Sequence, residues 1–192
     1  LKYLEKGEEK KFNERPTCTQ RGEDSWYILA KDWNYAPLIF PSKVGERMPV
    51  FLNDKIFEDK KLYGVIPKEN INELLLAAIL NSTLARMFIE FTCRQLTGAQ
   101  AIADIDVIVV KSLLVPNLDK ISDEIKLKLK EAFEKLSKTS AESVFKEIAP
   151  SPNEVSLEKV KADRLELDKI VLRDILGLSE KEHLEVYQAV VD

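Results

Sequence analysis

From Leu74 to Leu80 the chain carries no polar side chain, so a helix there leaves no face for water and belongs inside a domain. Pro67-Lys68-Glu69-Asn70 precedes it, and Asn70 with Glu73 forms a capping-box pattern that predicts the helix start. Asn81-Ser82 breaks the run, and Ser82 is placed to cap a second helix over about 83–92. Leu84, Met87, Phe88 and Phe91 recur there at helical spacing and predict one apolar stripe. Asn81, Ser82, Thr83 and Arg86 interrupt the apolar character too early for a bilayer span, so no membrane is expected. Beyond them, residues 94–100 read as a loop around Gly98 carrying a cation, two amides and a hydroxyl.

Short strand patterns surround this helix pair. Ser25-Trp26-Tyr27-Ile28-Leu29-Ala30, Ala36 to Pro41, Met48 to Leu52 and Leu62 to Ile66 are apolar, β-prone and bounded by turn residues. Ile102 to Val110 alternates and predicts a further strand, and Pro116-Asn117 closes the unit. After Leu118 the period changes. Ile121, Ile125, Leu129, Phe133 and Leu136 repeat at helical spacing, and 144–148 gives a shorter helical piece. Ala149 to Asn153 reads as a linker or sharp turn. Another helix is expected over 160–176, ended by Gly177, and a last one is capped by Ser179 with Glu182. The expected class is α+β: a small mixed sheet packed on a buried helix pair over 1–117, then an all-helical C-terminal arm over 118–192.

Composition narrows the function. Apolar residues at 45% and charged residues at 32% make a folded domain the expectation rather than a disordered tail. Residues 1–117 balance 16 basic against 16 acidic side chains, whereas 118–192 hold 13 against 17. Net charge therefore announces no nucleic-acid partner, and any such surface must be a local patch. Two cysteines, no signal peptide and a first residue that is not Met suggest a piece of a longer cytoplasmic protein. One histidine and no Cys-x-x-Cys leave no zinc site to expect.

No catalytic constellation stands out. His183 lies in a polar terminal helix and reads as a surface histidine. Cys93 beside Arg94 can have a lowered pKa, but a packed structural thiol is the preferred reading. Glu58-Asp59-Lys60 offers an acidic-x-Lys element without an upstream acidic partner, and reads as a solvated turn. The six glycines form neither a dinucleotide fingerprint nor a phosphate loop. Donors suited to binding are clearer: Trp33, Lys43, Arg47, Arg94, Gln95 and Gln100. Arginine can bond a guanine edge through two donors, glutamine an adenine edge, and lysine a phosphate. For Arg94 a plainer role stays open, a cation at the C-terminus of the preceding helix.

Trp26-Tyr27-Ile28-Leu29, Ala36-Pro37-Leu38-Ile39 and Arg47-Met48-Pro49-Val50 together resemble the C-terminal target-recognition domain of adenine-N6 DNA methyltransferases. Leu80-Asn81-Ser82, the Gly98 loop and the closing Val109 to Leu118 block are similar both to that domain and to type I restriction specificity subunits. The tail from Leu167 to Tyr187 resembles the helices that end such methyltransferases. The resemblance implies a DNA-specificity fragment of a restriction–modification enzyme, possessing no cofactor of its own. Its partners would be double-stranded DNA and an upstream methyltransferase domain that uses S-adenosylmethionine. Neither the catalytic Asn-Pro-Pro-Tyr motif nor the cofactor glycine motif of the family is in this chain, and Asn34-Tyr35-Ala36-Pro37 differs from the former in order and context. The loop Thr97-Gly98-Ala99-Gln100 is also poorer in glycine than the family's. The alternative expectation is a protein-interaction module that binds a partner subunit through the C-terminal helices.

Overall fold

The computed structural model describes residues 2–20, 26–28, 35–56, 61–96 and 102–192. It divides into two compact units, 1–34 and 35–192. In the first, α1 (Lys2–Glu9) and α2 (Pro16–Thr19) are helices in a charged, mixed stretch of sequence. Trp26 and Tyr27 lie in a turn rather than the expected strand, with their rings edge to face at 5.9 Å. The Trp26 indole covers Gly7 so closely that a Cβ there would sit 2.5 Å from the ring.

The second unit is α+β, with all its described strands before Ile105 and helices alone after it. Its strands are β1 (Leu38–Pro41), β2 (Lys43–Val44), β3 (Phe51–Leu52), β4 (Leu62–Val65), β5 (Arg94–Leu96) and β6 (Ile102–Asp104). They form two three-stranded antiparallel sheets, ordered β3-β1-β4 and β2-β6-β5, instead of one mixed sheet. Ser42 separates β1 from β2 and donates its N–H to Lys61 while its carbonyl accepts from Ile105, tying the two sheets together.

Between β4 and β5 in sequence lie α3 (Glu73–Leu80) and α4 (Thr83–Thr92). The helix start falls two residues later than the capping-box pattern suggests. Asn72 is the cap, accepting from Leu75 N–H at 3.2 Å, while Asn70 occupies the left-handed region at φ 74° and forms the turn before it. Leu75, Ala77, Ala78, Ile79 and Leu80 are buried. On α4 the buried face is Ala85 and Ile89 rather than the larger stripe, and Phe91 is 72% exposed. Among the described residues no single helix is long and apolar enough to cross a membrane; α3 and α4 pass together on composition but are bent by 60° at Asn81-Ser82.

The alternating segment after β6 becomes α5 (Val107–Ser112), despite its β-branched residues. Ile105 donates to Ser42 and ends the ladder, and Asp106 C=O then accepts from Val109 and Val110. Tertiary pairing overrides strand propensity here. Four helices follow: α6 (Asp123–Ser137), α7 (Val144–Glu147), α8 (Ala162–Asp168) and α9 (Glu180–Val191). Pro152–Glu154 is a 3₁₀ turn in the expected linker. α8 continues as a π-helix, Lys169–Ile175, which keeps Ile170, Val171 and Leu172 buried in succession. Gly177 ends it at φ +72°, and Ser179 with Glu182 forms the expected capping box.

The main core of the second unit runs across position 117. Leu38, Phe40, Ile79 and Ile105 pack in one cluster with Leu129, Phe133 and Leu167. Each such side chain contributes about 1.5–3 kcal/mol. A smaller cluster of Val144, Ile148, Val160, Tyr187 and Val190 lies beside it.

Where the clusters meet, Asp168 is fully buried. Its Oδ1 accepts the Thr83 N–H at 2.8 Å, and its Oδ2 accepts the Thr83 hydroxyl at 2.6 Å and the Tyr187 hydroxyl at 3.1 Å. Thr83 begins α4, so the carboxylate meets a helix N-terminus, where negative charge is favourable. His183 is also fully buried, 4.5 Å from the Tyr187 ring, and neither ring nitrogen has a hydrogen-bond partner among the described residues. The surface position expected from its polar neighbours in sequence is not found, because His183 lies on the same inward face of α9 as Tyr187 and Val190.

Two outcomes follow for stability. Asp168→Ala leaves three donors unsatisfied and is expected to lower unfolding free energy by about 3–5 kcal/mol in urea titration. A loss below about 1 kcal/mol would contradict the network's role. Burial, together with Arg173 and Lys169, holds the His183 pKa below the ordinary histidine value against the opposing pull of Asp168 and Glu180. The unfolded chain therefore binds the extra proton first. Stability is present above the unfolded histidine pKa and declines as pH falls below it. The melting temperature of His183→Phe should fall less between pH 7 and pH 5 than that of the native chain.

Candidate nucleic-acid interface

Lys43 and Arg94 are far apart in sequence, and the β2-β6-β5 sheet aligns both with one residue. Lys43 pairs with Asp104 across β2 and β6, and Arg94 pairs with Asp104 across β5 and β6. The side chains follow the register. Lys43 Nζ lies 3.5 Å from Asp104 Oδ1, and an Arg94 terminal nitrogen donates to Oδ2 at 3.3 Å. Both cations remain exposed, so these pairs are weak individually and leave most donor positions open.

Arg94 is therefore neither in a loop nor a helix cap. It begins β5, and α4 ends at Thr92 with Cys93 in extended backbone as the C-cap. Gln95 is exposed beside it and donates from Nε2 to Glu90 at 3.1 Å. Arg47 is exposed on the connection from β2 to β3 and makes no ion pair among the described residues. Trp33 and Gln100 lie outside the described residues, as does Glu58-Asp59-Lys60. Lys43 and Arg94 are thus brought together, Gln95 adjoins them, and Arg47 sits on the connection that leaves Lys43.

That connection is fixed from behind by Arg86 of α4. Its guanidinium donates to the Glu46 carbonyl at 2.8 Å, the Gly45 carbonyl at 3.0 Å and Glu90 at 2.8 Å. The Glu46 carbonyl also accepts from the Val144 N–H at 2.9 Å. Burial lowers the Arg86 pKa, against the pull of Glu90. Deeper in, Arg164 donates from Nε to Glu147 at 3.0 Å and from a terminal nitrogen to the Asn81 carbonyl. Burial disfavours the Arg164 cation, but Asp168 and Glu147 outweigh it and raise its pKa. The Arg94 cation does not activate Cys93. Partial burial, reinforced by Glu90, Asp106 and Asp104, pushes the thiol pKa up.

Asp104 and Arg86 were not distinguishable in the sequence as site residues. The alternation of Ile102-Ala103-Asp104 marked a strand, but no local feature gave its pairing with both Lys43 and Arg94. Among the described residues no cluster of three or more metal-ligating side chains occurs.

Arg86 and Arg94 should respond differently to truncation. Arg86→Met removes a donor from the Gly45 and Glu46 carbonyls and from Glu90, of which Glu46 keeps Val144 N–H and Glu90 keeps Gln95, and is expected to cost about 1–3 kcal/mol. Arg94→Ala removes one exposed pair and should cost less than about 1 kcal/mol. Chemical denaturation of both variants checks the contrast. The chain matches no protein-family model, no curated protein and no solved structure.

Proposed function

We propose that this chain is the DNA target-recognition part of a restriction–modification enzyme or adenine-N6 DNA methyltransferase, acting in the cytoplasm. Methyl transfer from S-adenosylmethionine would belong to an upstream domain of the same protein, on an adenine flipped from the duplex. The sequence resemblance motivates the reading. The observation that carries it is the gathering of Lys43 and Arg94 around Asp104 on one small sheet, beside the exposed Arg47. Phosphate contacts from such cations fix register, and long arginine and glutamine side chains can reach base edges.

The family's cofactor glycine motif is not in this sequence, which supports placing the methyl donor in the upstream domain. The Gly45 carbonyl is held by Arg86 and Gly177 ends a helix, so neither belongs to a glycine loop between strand and helix. No chemical step is assigned to the chain itself. The alternative of a partner-binding helical arm has less support, because Leu129, Phe133 and Leu136 of α6 and Tyr187, Val190 and Val191 of α9 are buried within their own unit.

Asp104 makes the proposal testable, since its carboxylate competes with DNA phosphates for the same two cations. Duplex binding by the native chain should be weak and should weaken further from 50 to 200 mM salt. Asp104→Asn should tighten it several-fold, and the Lys43→Ala/Arg94→Ala double variant should weaken it and flatten the salt slope. Electrophoretic retardation measures all three. Binding that ignores both salt and Asp104 would refute the interface. In the full-length parent, Arg94→Ala should cost about 1–3 kcal/mol of discrimination at one base pair, read by sequencing the methylated sites.

A further inference from the structure

A cavity of about 390 Å³ opens between β3, the start of α4, the end of α6 and the segment 139–148. We propose that it binds an organic cation with an apolar, preferably aromatic body. Its volume falls within the range of small-molecule sites. Val50, Leu52, Phe133, Leu136, Val144 and Ile148 supply apolar wall, and the Phe133 ring can pack against a second ring.

The polar lining decides the charge of the occupant. Arg86 and Arg164 look like an anion trap, but each is already neutralised, Arg86 by Glu90 at 2.8 Å and Arg164 by Glu147 at 3.0 Å. Their remaining contacts go to the carbonyls of Gly45, Glu46 and Asn81. The lining hydroxyls are engaged as well: Thr83 donates to Asp168, and Thr139 has the Asp163 carboxylate and the Leu136 carbonyl as alternative acceptors for its one proton. An anion entering would find no uncommitted cation.

Glu46 and Glu142 differ from these. Both line the cavity, both are exposed, and neither carboxylate has an ion-pair partner among the described residues. With Glu147 the lining holds three carboxylates against two guanidiniums, and behind it Glu90 pairs with Arg86 and Lys161 lies 3.9 Å from Glu147. A cationic head at Glu46 and Glu142 with a ring among the apolar residues satisfies both parts of the site. This ligand site does not require the proposed DNA contacts, although Arg86 and Glu46 belong both to its lining and to the connection that carries Arg47.

Three probes share one ring and differ in charge: tryptamine, indole and indole-3-acetate. Each is titrated at neutral pH into the full chain, followed by amide shifts at Ser82, Val144 and Ile148. Tryptamine is expected to bind about three- to tenfold more tightly than indole, and indole-3-acetate more weakly than either. Glu46→Gln/Glu142→Gln should bring tryptamine down to the affinity of indole and leave indole unchanged. Leu136→Trp should fill the space and abolish binding of all three. Should its melt show loss of folding, Ala141→Trp, at an exposed lining position, serves the same purpose. Equal affinity for tryptamine and indole-3-acetate, or no shift at the cavity residues with any probe, overturns the proposal.

Discussion

A single buried carboxylate holds the larger unit together. Asp168 sits where the main core meets the smaller cluster, and its three hydrogen bonds reach the first residue of α4 and a tyrosine of α9. A charge so deep is costly unless every lone-pair direction is used. Here it is held by a helix N-terminus, two hydroxyls and the nearby Arg164 cation. The same environment, burial first and the carboxylate second, raises the Tyr187 pKa so that its hydroxyl remains a donor. The direction of α4 depends on this anchor, and through Arg86 so does the connection that carries Arg47.

The site follows from pairing across the sheet more than from any loop. Two cations that strand register places on either side of Asp104 hold each other apart electrostatically, and the carboxylate between them relieves that repulsion. The pairs are exposed, so the arrangement adds little to stability and leaves both cations available to a stronger anion. Fixing the neighbouring connection with Arg86 lowers the conformational entropy that a recognition surface would lose on binding.

Most local signals in the sequence match the structure, the Asn70–Glu73 box excepted, because Asn72 is the cap. The helix from 83 to 92, its Ser82 cap, the break at Asn81 and the Ser179–Glu182 box all depend on neighbours within four residues. The α+β class followed from periodicity. What escaped was decided at long range. Arg94 became a strand residue because β6 offered it a partner, and Val107–Ser112 became helical because the ladder ended at Ile105. His183 has polar neighbours in sequence but faces inward with Tyr187. Lys43 and Arg94 were visible as candidates; Asp104, which brings them together, and Asp168, which anchors the scaffold, were not, since each acts on residues between 10 and 85 positions away.

Asn81 has a consequence beyond joining two helices. Its side-chain amide accepts from the Val50 N–H at 3.0 Å and donates to the Val50 carbonyl at 2.9 Å, the double bond that a neighbouring strand would make. Val50 leads into β3, the outer strand of its sheet. One asparagine thus occupies backbone positions through which an outer strand recruits foreign chains. The helix break thereby covers backbone groups just before an edge strand, groups of the kind that edge strands otherwise leave open to strand addition.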